Sequence, residues 1–172
     1  MSTDRLHTAA LTLAVLAPLA MPVAPAYAAA SETRIDLGAE PGTIVIKTAE
    51  RKLYLVTDTD RALVYDIAVG KPSEQWFGKS WVSKKREAPT WTPTPSMREK
   101  NPRLPQSVAP GPNNPLGERA INLGWGAYRI HGTNKPQSIG SAASAGCFRM
   151  RNGDVKDLFE RVHVGAEVRV LR

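Results

Sequence analysis

Residues Ile130 to Met150 read IHGTNKPQSIGSAASAGCFRM and hold both the only cysteine, Cys147, and His131, sixteen residues before it. Small residues fill the interval from Gly140 to Gly146. A glycine immediately before a cysteine lets the backbone take angles other residues avoid and lets a substrate carbonyl come close. Successive N–H groups in such a turn can converge on a developing negative charge. A thiol, an imidazole and an amide nest are what an acyl-transfer enzyme needs. Cys147 is the expected nucleophile, His131 its general base and acid, and the N–H groups of Gly146 and Cys147 the expected oxyanion donors.

Working outward, short alternating segments surround this stretch. Thr43 to Thr48 (TIVIKT), Lys52 to Thr59 and Arg61 to Gly70 have the period and the β-branched content of strands separated by polar turns. Lys79 to Arg86, Arg119 to Gly124, Ala127 to Gly132 and Ala166 to Leu171 extend the pattern, so His131 is expected at a strand end. Val155, Leu158, Phe159 and Val162 fall at helical spacing behind Asn152, a candidate cap. Between Glu87 and Gly117 eight prolines rule out a central strand or a long helix. A connection of that length is expected to be functional: either Trp91 faces substrate, or it plugs the edge of the core. The expected fold is mostly β with one or two short helices.

The motif H-G-T, followed after a gap by S-x-G-C-[hydrophobic]-R-M, resembles the L,D-transpeptidase (YkuD-type) catalytic domain of bacterial cell-wall enzymes. The likeness extends from PGTIVIKTAERKLYLV (Pro41 to Val56) through PTWTPTP and PGPNNPLG to GAEVRVL near the C-terminus. It implies a β-sandwich-like catalytic domain over residues 41–172. It also implies a reaction in which the Cys147 thiolate attacks the third residue of a peptidoglycan tetrapeptide stem and expels D-alanine. An amine would resolve the thioester into a 3→3 cross-link or attach a wall-anchored protein; water would make the enzyme an L,D-carboxypeptidase. Many relatives carry S-H-G-C, whereas here the histidine position is Ala145, which leaves base duty to His131. His7 and His163 are poor rivals. Pairing with imidazole is expected to raise the thiolate fraction of Cys147 above the few per cent of a free thiol. Arg149 is a candidate fork for a donor carboxylate or a structural clamp. Ser144 is expected to support the nucleophile turn, and Gly132 and Thr133 to shape the turn after His131, where a backbone carbonyl would fix the tautomer.

The N-terminus sets the compartment. Arg5, the apolar run Leu11 to Ala20 and Ala26-Tyr27-Ala28 have the form of a signal peptide over residues 1–28, followed by a loose leader over 29–40. Export to the periplasm or cell wall is expected, with no membrane insertion after cleavage and a monomeric mature chain. A lone thiol in an exported chain is a candidate reactive group. The net charge of +7 suits an anionic wall polymer. The basic residues are scattered, and nucleic acid is not an expected partner. No residues show metal-ligand spacing or a phosphate loop, so no metal or cofactor is expected. A papain-like peptidase would place its Cys before its His, and a non-catalytic wall-binding module would have no reason to keep both.

Overall fold

Hydrophobic alternation builds the central strands. In the computed structural model, which describes residues 30–172, β2 (Ile44–Lys47), β3 (Lys52–Asp58) and β4 (Arg61–Asp66) form an antiparallel array. The closing strand β11 (Glu167–Leu171) lies parallel to β2. Ile44, Ile46, Leu53 and Val168 are wholly buried between them, each worth roughly 1.5–3 kcal/mol of burial. The expected signal segment lies outside the described residues.

β6 (Gly78–Glu87) turns the corner of the sheet. Gly78 to Trp81 pair with β11, and from Val82 on the strand pairs with β7 (Arg119–Leu123), with a register shift between Val82 and Lys84. A long strand that changes partner at a bulge bends the sheet over a shared core. One cluster accordingly takes Ile46 and Val170 from one half and Val82, Ile121 and Ile130 from the other. β7 continues to β8 (Arg129–His131), and β8 to β10 (Phe148–Arg149), which lies parallel to it. Among the described residues the full order is nine strands, β1-β4-β3-β2-β11-β6-β7-β8-β10, with β1 being Ser31–Arg34. A separate pair joins β5 (Val69–Gly70) to β9 (Ala142–Ser144). The helix α2 (Asn152–Arg161) buries Val155, Leu158 and Phe159 against the same core. The mostly-β, sandwich-like expectation therefore holds.

Three local expectations are corrected. The loose leader expected over 29–40 is ordered where it is described, from residue 30 on: β1 pairs antiparallel with β4, aided by Arg61–Glu32 at 3.4 Å and Arg34–Asp60 at 3.3 Å. Ile35, Leu37 and Ala39 then cover a second small core of Val45, Tyr54, Val56 and Ala62. SETR carries no apolar alternation because it is an exposed edge. The expected strand Arg61 to Gly70 breaks after Asp66, where Ala68 and Arg149 exchange two 2.9 Å backbone bonds. Residue 151, not Asn152, occupies the N-cap of α2, and the Asn152 carboxamide turns instead to Glu118 N and Thr133 N at 3.3 and 3.1 Å.

The Pro-rich excursion is also more ordered than its composition implies. It contains a short helix, α1 (Pro95–Lys100), with Pro95 in its first turn and Thr94 Oγ1 accepting from Met97 N at 3.3 Å. Wholly buried Asn114 holds the excursion together. Its Nδ2 donates to Pro89 O at 2.7 Å and to Val108 O and Ala109 O at 3.1 Å, while its Oδ1 accepts from Leu116 N at 2.8 Å. Lys100 reaches Glu74 at 3.4 Å, joining the excursion to the chain beside the Gly146–Cys147 turn.

Candidate active site

The parallel pairing of β8 and β10 sets the site. Phe148 lies opposite Ile130 and Arg149 opposite His131. Phe148 and Ile130 point into the core. With a side-chain period of two, Arg129, His131, Arg149 and Cys147, just ahead of β10, fall on the other face. Four chemistry-bearing side chains thus share one surface of two short strands. Backbone bonds hold the chain on both sides of Cys147: Met150 N donates to His131 O at 2.8 Å, and Lys71 N donates to Ser144 O at 3.0 Å.

The turn leading into Cys147 depends on Gly146, which has φ +99° and whose added Cβ would sit 2.7 Å from Tyr128 Cε1 and 3.0 Å from Glu74 O. Ser144 closes the turn as expected, its hydroxyl donating to Cys147 O at 2.5 Å and accepting from Gly146 N at 3.2 Å. That second bond corrects one expectation. The Gly146 N–H is spent inside the turn on Ser144, and the Cys147 N–H is the turn's remaining candidate oxyanion donor. Half-buried Cys147 places Sγ 3.7 Å from Ala127 O.

His131 is 5 % exposed, and its Nδ1 lies 2.6 Å from Gly132 O. A carbonyl only accepts, so Nδ1 carries the proton and Nε2 keeps its lone pair. Burial drives the His131 pKa down to about 4; the Gly132 contact opposes this, and the Arg149 and Arg129 charges add to it. Burial also pushes the Cys147 thiol up, against the Arg129 backbone and the charges of Arg129 and Arg149. Burial thus favours the neutral form of each group, thiol and imidazole. These shifts run opposite to the rise in thiolate fraction expected from an imidazole partner, because both groups are desolvated.

The other expected residues separate. Gly132 and Thr133 shape the turn after His131: Gly132 N donates to Arg119 O at 3.0 Å, and an added Cβ on Gly132 would lie 2.2 Å from Asn152 Oδ1. Thr133 also borders a cavity of about 720 Å³ with Arg119, Asn134, Arg151 and Asn152, to which neither Cys147 nor His131 contributes. Trp91 is half-buried in the Pro-rich excursion, its backbone paired with Val108 at 2.9 and 2.8 Å. Exposed His163 lies beyond α2. Among the described residues no three His, Cys, Asp or Glu side chains converge as a metal site would require.

Sequence reasoning missed two features. Arg129 faces the thiol beside Arg149, and its Nε is buried without a partner; neither arginine forms an ion pair among the described residues. A stronger signal was available in the strand period, which puts residue 129 on the face of His131. The second is an aromatic cluster next to the Gly146–Cys147 turn. Trp76 packs with ring centroids 4.5 Å from Trp125, 4.9 Å from Tyr128 and 5.5 Å from Phe148.

Comparison with known proteins gives a consistent set. Residues 41–170 match the family model described as the L,D-transpeptidase catalytic domain. The probable L,D-transpeptidase ErfK/SrfK of Escherichia coli K12 is 41% identical over 136 residues, covering 74% of this chain and 43% of that protein. The putative L,D-transpeptidase YqjB of Bacillus subtilis 168 is 32% identical over 131 residues, 73% of this chain and 68% of its own length. The chain thus spans less than half the length of the Escherichia coli relative. Among solved structures, the catalytic domain of an Enterococcus faecium L,D-transpeptidase acylated by ertapenem superposes with TM-score 0.58 at 24% identity, covering 77% of this chain and 98% of that one. L,D-transpeptidase 3 of Mycobacterium tuberculosis gives TM-score 0.59 at 14% identity, covering 76% and 60%. At these identities the structures speak for the fold.

Proposed function

Because the chain belongs to the L,D-transpeptidase family, we propose that it transfers acyl groups from peptidoglycan stem peptides through a thioester on Cys147. The observation that carries this reading is the shared face on which Cys147, His131 and two unpaired arginines meet. Two guanidinium charges with no carboxylate partner among the described residues favour an anionic substrate. A tetrapeptide donor supplies one: its terminal D-alanine carboxylate lies one residue beyond the bond to be broken. Arg149 and Arg129 receive that carboxylate and orient the third-residue carbonyl over Sγ.

The proton sequence follows from the tautomer. Nε2 of His131 takes the thiol proton as sulfur attacks the carbonyl carbon, and the Cys147 N–H stabilises the oxyanion. Collapse breaks the C–N bond, and the imidazolium protonates the departing D-alanine amine. An acceptor amine then attacks the thioester, returns its proton through His131, and regenerates the thiol. A second stem peptide as acceptor gives a 3→3 cross-link; a protein amine gives attachment to the wall. Export, inferred from Ala26-Tyr27-Ala28, would bring the enzyme to that substrate in the periplasm or wall.

The test is incubation with a disaccharide-tetrapeptide. The protein should release D-alanine and form a cross-linked dimer, and Cys147→Ser should do neither. D-alanine without any dimer or amine adduct would assign the carboxypeptidase reaction. Undiminished turnover by Cys147→Ser would overturn the reading.

A further inference from the structure

Trp76 is far from the nucleophile in sequence yet bonded to its backbone: the indole Nε1 donates to Gly146 O at 3.0 Å. Trp76 is 9 % exposed and belongs to the main core, so the bond forms in a site water barely reaches. Gly146 O and the Cys147 N–H are the two ends of one planar trans peptide and point in opposite directions. Fixing the carbonyl therefore fixes the direction of the amide. Gly146 sits at φ +99°, where glycine leaves the plane freer to swing than any other residue would. Ser144 already holds Gly146 N and Cys147 O, the atoms on either side of that plane. The indole supplies the restraint on the plane itself.

We propose that Trp76 is a positioning residue that aims the Cys147 N–H at the oxyanion of the acylation step. This rests on the reading of Cys147 as the nucleophile. Its ring packs on Trp125, Tyr128 and Phe148, and a phenyl ring could serve that packing. Only the indole N–H reaches the Gly146 carbonyl. The segment carrying it is itself held close: Gln75 Nε2 donates to Gly70 O at 3.0 Å, and Lys71 N to Ser144 O at 3.0 Å. The chain from Val69 to Trp76 thus wraps the nucleophile turn and delivers the donor.

The experiment separates a step that forms an oxyanion from one that does not. With p-nitrophenyl acetate, Cys147 sulfur bonds to the carbonyl carbon, the carbonyl pair moves to oxygen, and collapse expels p-nitrophenolate. With iodoacetamide, sulfur displaces iodide and no oxyanion arises. Trp76→Phe, and a variant with 3-benzothienylalanine at position 76, which keeps the bicyclic ring but lacks the N–H, should both acylate on the order of 10-fold more slowly. The benchmark is the roughly 10²–10³-fold cost of deleting an oxyanion donor outright. Their alkylation rates and the pH midpoint of alkylation should match wild type. Equal losses in both reactions, or none in either, would overturn the proposal. A loss in Trp76→Phe that the benzothienyl variant fully restores would overturn it too, because shape alone would then suffice. A wild-type Cys147 modified by neither reagent would refute the nucleophile assignment itself.

Discussion

Lowering the pH from 7 to 4 should cost the folded protein about 3 kcal/mol through His131 alone. The imidazole titrates near 4 in the fold against 6.5 in a free chain. As pH falls below 6.5 the unfolded chain takes up the proton first, while the buried ring stays neutral. Stability therefore drops across that window and levels off below 4. The gap of 6.5 against 4, at about 1.4 kcal/mol per tenfold, sets the magnitude. With 5 % exposure the ring is shielded from solvent screening. The charges facing it, Arg129 and Arg149, oppose protonation further. Urea unfolding of wild type and His131→Gln at pH 7 and pH 4 isolates the contribution, because acid losses from carboxylates such as Asp66 and Asp157 cancel between the two proteins. The wild type should lose about 3 kcal/mol more than the variant. Equal losses would mean that His131 is not buried neutral, and the preference of thiol and imidazole for their neutral forms would fall with it.

Three further outcomes follow from the same geometry. Gly146→Ala should abolish acylation and lower stability, since its Cβ would meet Tyr128 Cε1 at 2.7 Å at φ +99°; kinetics with an unfolding curve would check both. Arg149→Gln should raise KM for a tetrapeptide donor by about 10-fold or more, as loss of a charge-assisted bond worth roughly 1.5–3 kcal/mol requires, and should leave KM for an uncharged ester unchanged. Ser144→Ala should cost about 1–3 kcal/mol by orphaning Gly146 N, measurable as a lower urea midpoint at unchanged slope.

The parts legible in sequence were those written in local pattern. Alternation in Thr43 to Thr48 and Ala166 to Leu171 located β2 and β11, and the spacing of Val155, Leu158 and Phe159 located α2. Cys147, Gly146 and His131 stood out because their residue types and order carry chemistry. What stayed hidden rests on contacts between distant segments. β1 is an exposed edge held by ion pairs to β4 and its turn, so SETR shows no hydrophobic period. β9 and β10 are three and two residues long, too short for any period to appear. Asn152 looked like a cap because capping is the local use of Asn, but tertiary N–H groups at Glu118 and Thr133 claim it. Burial of Cys147 and His131 could not be read either, and it pushes the thiol opposite to the expected direction.

The most direct test of Cys147 as acyl carrier is a mass measurement on the trapped enzyme. After brief incubation with a tetrapeptide stem and no amine, the intact protein should gain the mass of the stem lacking its D-alanine. Peptide mapping should place that gain on the fragment containing Cys147, and Cys147→Ser should show none. D-alanine release with Cys147 unmodified, or an adduct mapped to Ser144, would contradict the account.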